Sequence, residues 1–149
     1  MIYKEQDITT VEAPALIAHG VNCADAMGSG VARAIYMKWP TVKAMYHKHG
    51  SMQLGDAQFV DVEHGLLVAN CFTQKTYGRD PDFQYASPQA ISEALKAVAA
   101  KAIEFGVDEV HIPRIGCGLG GLDWERDVVP VLMEIEEDAL LNFVVCDLD

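Results

Sequence analysis

The chain has 149 residues, 50% hydrophobic and 22% charged, with 11 Lys and Arg against 22 Asp and Glu for a net charge of −11. That length suits one domain, expected over residues 1–149, with a core of its own. The sign argues against nucleic acid as a partner, since such binding rests on clustered positive charge, and no apolar run approaches the roughly 18 residues of a membrane span. The acid is unevenly placed: residues 108–149 carry eleven acids and two arginines, leaving −2 for residues 1–107. An anion site must therefore work locally. Met1 to Asp7 carries charge where a signal peptide needs an apolar stretch. Cys23, Cys71, Cys117 and Cys146 stand 48, 46 and 29 positions apart, poor spacing for zinc and no disulfide framework. Reduced thiols in a cytoplasmic protein are expected, in the host cytoplasm for a viral chain.

In chain order, Pro14 to Asn22 reads as a short strand buried on both faces. After Gly28-Ser29-Gly30, Val31, Ala34, Ile35 and Trp39 recur at helical spacing until Pro40. Thr41 is expected to cap the next helix, which carries Val42, Met45 and Tyr46 on one side and closes at Gly50. Ala57–Val62 and Leu66–Phe72 read as a hairpin around Glu63-His64-Gly65. Ser87-Pro88 starts a helix with its apolar stripe at Ile91, Leu95, Val98, Ala102 and Ile103, ended by Gly106. Glu109–Pro113 is a strand, Arg114–Leu122 a glycine-rich loop, and Asp123 the cap of a helix that Pro130 kinks or restarts. Asn142–Cys146 is the last strand. Helices alternating with short apolar strands define an α/β fold with a mixed, mostly parallel sheet covered on both faces.

In such sheets ligands bind beyond the carboxyl ends of the strands. Two loops of suitable composition lie there, Asn22–Gly30 and Gly116–Gly121, each followed by a helix whose free N–H groups bind phosphate without a lysine. Together they suggest a diphosphate held between them. The second loop is literally G-x-G-x-x-G, with Asp147 as the acid a dinucleotide site needs. Only 28 residues follow it, however, so the rest of a dinucleotide-binding sheet would have to precede it.

Gln6-Asp7-Ile8-Thr9, Val21-Asn22 opening a glycine-rich loop, and Pro113-Arg114-Ile115-Gly116-Cys117-Gly118-Leu119 resemble, in this order, a macrodomain, the ADP-ribose-binding module. The chain looks closest to the small branch that contains the ADP-ribose 1″-phosphate phosphatases and the terminal ADP-ribose–protein glycohydrolase. Ile17–Cys23 and Phe72–Asp80 look more like the phosphatase side. The resemblance implies a three-layer α/β/α fold and assigns roles. Asp7 would take the adenine amino group, with the Ile8 N–H on the ring. Asn22 would bond the distal ribose, with Asp25 close by. Gly28, Ser29, Gly30 and Val31 would hold one phosphate, and Ile115, Gly116, Cys117, Gly118, Leu119, Gly120 and Gly121 the other. Tyr77, or another aromatic of the 77–85 stretch, would cover adenine or ribose.

His19, three residues before Asn22, matches a histidine of the phosphatase branch and is the expected general acid or base, with Asp80 or Asp25 orienting water. Backbone N–H groups must supply most of the remaining stabilisation, so the enzyme is expected to be slow. No cofactor or metal is implied. The glycohydrolase pattern meets departures: Gly120 stands where that enzyme has an acid, its lysine position falls near Asn70-Cys71, and Lys75 and Asp123 are off register. Three readings stand: a phosphatase acting on ADP-ribose 1″-phosphate, a non-catalytic reader of ADP-ribose or ADP-ribosylated protein, and an ADP-ribosyl hydrolase using water held by the ligand's own phosphate. Cys117 reads as a thiolate nucleophile or as a small residue suited to a tight loop. His47-Lys48-His49 reads as a metal site or, more simply, a solvated helix end; Trp39 and Trp124 read as packing, and Glu134–Asp138 as a solubilising surface.

Overall fold

The computed structural model describes residues 1–28 and 30–148; Ser29, expected in the first phosphate loop, lies outside the described residues. Six strands form one sheet: β1 (Ile2–Glu5), β2 (Ala15–Asn22), β3 (Ala57–Glu63), β4 (Leu66–Gln74), β5 (Glu109–Ile112) and β6 (Asn142–Asp147). Their spatial order is β1-β6-β5-β2-β4-β3, parallel throughout except for the β3–β4 hairpin. The helices are α1 (Gly30–Lys38), α2 (Pro40–Lys48), α3 (Pro88–Phe105) and α4 (Val129–Ala139).

Alternation along β2 divides its side chains between two cores. Leu16 and Ala18 join Ile91, Leu95 and Val98 of α3 and Leu132 of α4 on one face. Ile17 and Val21 join Ile35 of α1 and Val42 and Tyr46 of α2 on the other. Both faces are covered, which is why β4 reads as an unbroken buried run. Among the described residues no helix is long and apolar enough to cross a membrane.

The helix signals hold where a side chain caps. Ser87 accepts from the Ala90 N–H with Pro88 behind it, and Gly106 ends α3 at a left-handed φ of 86°. Asp123 accepts from the Arg126 N–H, opening a π-helical turn (Trp124–Val128) before Pro130 sits in the first turn of α4. Three expectations are corrected. Thr41 does not cap α2: the helix starts one residue earlier, at Pro40, whose fixed φ suits the first position. Its end is His49 in an extended conformation, so Gly50 is not the cap. The edge strand β1 gave no signal, because charged Lys4 and Glu5 replace an apolar run in a strand that needs only β6 as partner. β4 also runs two residues further than expected, carrying Thr73 and Gln74 to its carboxyl end.

Candidate functional site

The carboxyl ends of β2, β4 and β5 open into a cleft of about 390 Å³. Its floor is His19 to Asn22, Thr73 and Gln74; its walls are Met27, Gly28 and the start of α1 on one side and Pro113–Gly116 with Gly118–Gly120 on the other. The two glycine loops expected from the sequence thus face a common space. Gly28, Gly30, Val31, Ile115, Gly116, Gly118, Leu119 and Gly120 all line it.

The backbone supplies the polarity. Cys117, Gly121 and Leu122 spend their N–H groups inside the second loop, on the carbonyls of Arg114, Gly118 and Gly116. Those of Gly118, Leu119 and Gly120 meet no acceptor among the described residues. Opposite, α1 starts at Gly30, whose left-handed φ of 63° favours glycine, and brings to the cleft a first helical turn whose N–H groups have no acceptor within the helix. Gly28 and Gly118 have a different reason to be glycine. A Cβ at either would meet nothing within 4 Å, and neither backbone is left-handed. Packing and conformation leave both positions free, and both line the cleft.

Arg114 is the one charged side chain among the described residues lining the cleft. Its guanidinium is closed on Asp147 by bonds of 2.8 and 3.0 Å and stacks between Tyr3 and Trp124, at 5.5 and 5.3 Å from their ring centroids. Asp147 is therefore held by this arginine, which lowers its pKa, and does not stand as the acid of a dinucleotide site. Gly120 is tied down from the other side, its carbonyl accepting the N–H groups of Tyr85 and Ala86. A Cβ there would lie 2.5 Å from the Gly116 carbonyl oxygen, so the acid of the glycohydrolase pattern has no room at this position. Gly120→Ala is expected to destabilise the protein by about 1–3 kcal/mol through overpacking, measured as a lower thermal midpoint; an unchanged midpoint would show that the loop yields.

Several assigned residues behave differently from expectation. His19 is fully buried, with Nε2 2.6 Å from Asn70 Oδ1. Asn70 donates through Nδ2 to the Val42 carbonyl and Gln58 Oε1, which fixes its Oδ1 as the acceptor and places the hydrogen of His19 on Nε2. Nδ1 is left buried without a partner. Burial drives the His19 pKa down to about 4, so the ring is neutral at pH 7 and has no imidazolium proton to donate. A neutral ring speaks against the general-acid half of its expected role; the contact it makes ties β2 to β4.

Asn22 is also spent internally. It donates to the Ala26 carbonyl at 2.7 Å, and its Oδ1 accepts from the Ala24 N–H at 2.9 Å and lies 2.8 Å from the Tyr46 hydroxyl. It organises the first loop and retains one Nδ2 hydrogen for a ligand. Tyr46, legible only as part of an apolar stripe, is the buried anchor that the sequence reading missed. Asp25 pairs with His47 outside the cleft, and Asp80 caps its own turn by accepting the Asp82 N–H. Neither acid lines the cleft. Asp7 caps the Ile8–Thr10 turn through Oδ1, and Ile8 fills the core beneath α1; this pair also lies away from the cleft lining. The Cys117 thiol donates to the Ile115 carbonyl and burial pushes its pKa up to about 11, so it is no thiolate. It packs against the α3/α4 core rather than lining the cleft. Lys75 is exposed and outside the cleft. Tyr77, 60% exposed, stands at the mouth.

Fold and site together define a three-layer α/β protein with a glycine-walled cleft at the carboxyl ends of its strands, and comparison with known proteins makes the class specific. The chain belongs to the macro domain family, whose model matches residues 18–130. It is similar to the solved macrodomain protein of Streptomyces coelicolor, with 30% identity and a TM-score of 0.81 over 99% of each chain. It is 26% identical over 129 residues to a DNA ADP-ribosyl glycohydrolase of Mycobacterium tuberculosis, covering 83% of this chain but only 35% of that protein. The chain thus spans about a third of the length of that relative. An ADP-ribose 1″-phosphate phosphatase of Lodderomyces elongisporus is 25% identical over 139 residues, 83% of this chain and 86% of that one.

Proposed function

We propose that the cleft binds ADP-ribose and that the protein hydrolyses ADP-ribose 1″-phosphate to ADP-ribose and phosphate. The observation that carries the binding is the run of backbone N–H groups at Gly118–Gly120 without an acceptor among the described residues, lining one cleft with the start of α1. A diphosphate between them receives charge-assisted bonds from both sides and needs no lysine. The adenosine end extends toward Asp7, whose carboxylate accepts from Thr9 through Oδ1 and keeps Oδ2 for an amino group. The distal ribose lies toward Asn22 and Tyr77. Family likeness to a 1″-phosphate phosphatase supports this substrate, and the absence of space at Gly120 speaks against a glycohydrolase acid there. The net charge of −11 makes long polyanions, including ADP-ribosylated DNA, poorer ligands than the free nucleotide sugar.

The second reading is a reader of ADP-ribose or ADP-ribosylated protein that does not turn its ligand over. What favours it is the burial of His19, which removes the catalyst expected from the sequence. ADP-ribose at millimolar concentration is expected to raise the thermal midpoint, as any ligand selective for the folded state does. Phosphate release from ADP-ribose 1″-phosphate above the uncatalysed rate separates the enzyme from the reader. A midpoint that ADP-ribose leaves unmoved would overturn both.

A further inference from the structure

We propose that a second cavity opening off the cleft is the subsite for a phosphate carried on the distal ribose, with His47 as its proton donor. The proposal rests on the reading of the cleft as an ADP-ribose site. The cavity measures about 480 Å³ and shares Asn22, Gly28, Tyr77 and Leu119 with the cleft. What it adds is charge: Asp25, Lys43, His47 and Arg79. Lys43 lies 4.3 Å from the Tyr36 ring centroid, and among the described residues no carboxylate pairs with it. Arg79 is exposed and has no acceptor among the described residues. The single acid, Asp25, is opposed by His47, with Nδ1 2.5 Å from Oδ1. Two cations without acid partners therefore border the cleft in a chain of net charge −11. A phosphomonoester, carrying nearly two negative charges near pH 7, matches that local excess. The cleft itself offers only Arg114, already closed on Asp147.

His47 and Asp25 add a proton path. The carboxylate accepts from Nδ1–H and orients the ring, which leaves Nε2 without a partner among the described residues. An imidazole held by an acid, with its far nitrogen free, is the arrangement that serves proton transfer in many hydrolases. The charged groups around it are Asp25 from the loop after β2, Lys43 one turn earlier on α2, and Arg79 from the segment after β4. In the step we assign, a water oxygen bonds to phosphorus as the bond from phosphorus to the anomeric oxygen breaks. His47 Nε2 takes the proton that the water loses and passes it to the anomeric oxygen as that oxygen leaves phosphorus. ADP-ribose and inorganic phosphate leave, and the ring is regenerated.

The test uses affinities for ADP-ribose and ADP-ribose 1″-phosphate by titration calorimetry, in a His47→Gln background that spares the ester, together with phosphate release by the His47→Gln protein and the wild type. All three side chains are exposed or half-buried, so the variants keep the fold, checked by their thermal midpoints. The expected results are tighter binding of the ester than of ADP-ribose, and loss of about tenfold of that preference on adding either Lys43→Ala or Arg79→Ala. The ADP-ribose affinity itself stays within twofold. His47→Gln lowers phosphate release at least 100-fold, the lower end of what general acid–base catalysis contributes. Equal affinity for the two ligands, a preference that survives both alanine substitutions, or undiminished release by His47→Gln overturns the subsite. A protein that binds neither ligand instead overturns the reading of the cleft.

Discussion

Gly118→Val leaves the thermal midpoint of the free protein unchanged and abolishes the rise that ADP-ribose gives. The reason is the unusual freedom of this position: a Cβ meets nothing within 4 Å, and the backbone is not left-handed. The first side-chain carbon therefore costs the folded state little, yet it is added to a loop whose neighbouring N–H groups have no acceptor among the described residues. It takes the volume that the diphosphate needs at closest approach. An expected loss of at least 100-fold in affinity corresponds to about 3 kcal/mol. Gly28→Val, on the opposite wall, is expected to do the same. Gly50→Ala is the control, since its Cβ also meets nothing but lies outside the cleft, so neither stability nor binding moves. Affinity for ADP-ribose unchanged in both valine variants would sink the placement of the diphosphate.

That the loops were legible and much else was not has a physical reason. Glycine is a backbone statement, and its spacing beside a strand and before a helix survives in one dimension. Strands β2 and β4, the β3–β4 hairpin and the ends of α3 were legible for the same cause: apolar runs and caps are local. Roles that depend on tertiary neighbours were not. His19 reads identically whether its ring faces a ligand or Asn70, and only the pairing of β2 with β4 in register at these two residues decides it. Asn22 was read as a ribose contact; its bonds to Ala24, Ala26 and the Tyr46 hydroxyl, arriving from α2, make organising the loop its visible use. The charged annexe draws Asp25, Lys43, His47 and Arg79 from three separate segments, so no spacing announces it. His47 looked like a solvated helix end, and its ring is indeed exposed, but Asp25 gives it a direction.

Wild-type stability is expected to fall by about 3 kcal/mol as pH drops from 7 to 4 on account of His19 alone. The folded-state pKa is about 4, held down by burial, against 6.5 for the unfolded chain. Between those values the unfolded state binds a proton that the folded state excludes, so stability is complete above pH 6.5 and is lost as pH falls toward 4. The gap of two and a half pKa units, at about 1.4 kcal/mol each, sets the size. His111, whose pKa burial also lowers, acts in the same direction. Asp7, Asp127 and Asp147, with lowered pKa values, add losses that set in about one pH unit above their ordinary value of 3.8. Denaturant unfolding between pH 7 and about 5 therefore reads mainly the histidines. In His19→Leu the Asn70 oxygen is left unpaired, which costs about 1–3 kcal/mol at pH 7, but the titrating group is gone. The gap between variant and wild type should close, or change sign, toward pH 4. A gap independent of pH would show that His19 titrates as freely in the folded chain as in the unfolded one. The same variant separates core from catalyst: phosphate release per folded molecule at pH 7.5 is expected to stay within a few-fold of wild type. A general acid at this position would instead lose 100-fold or more.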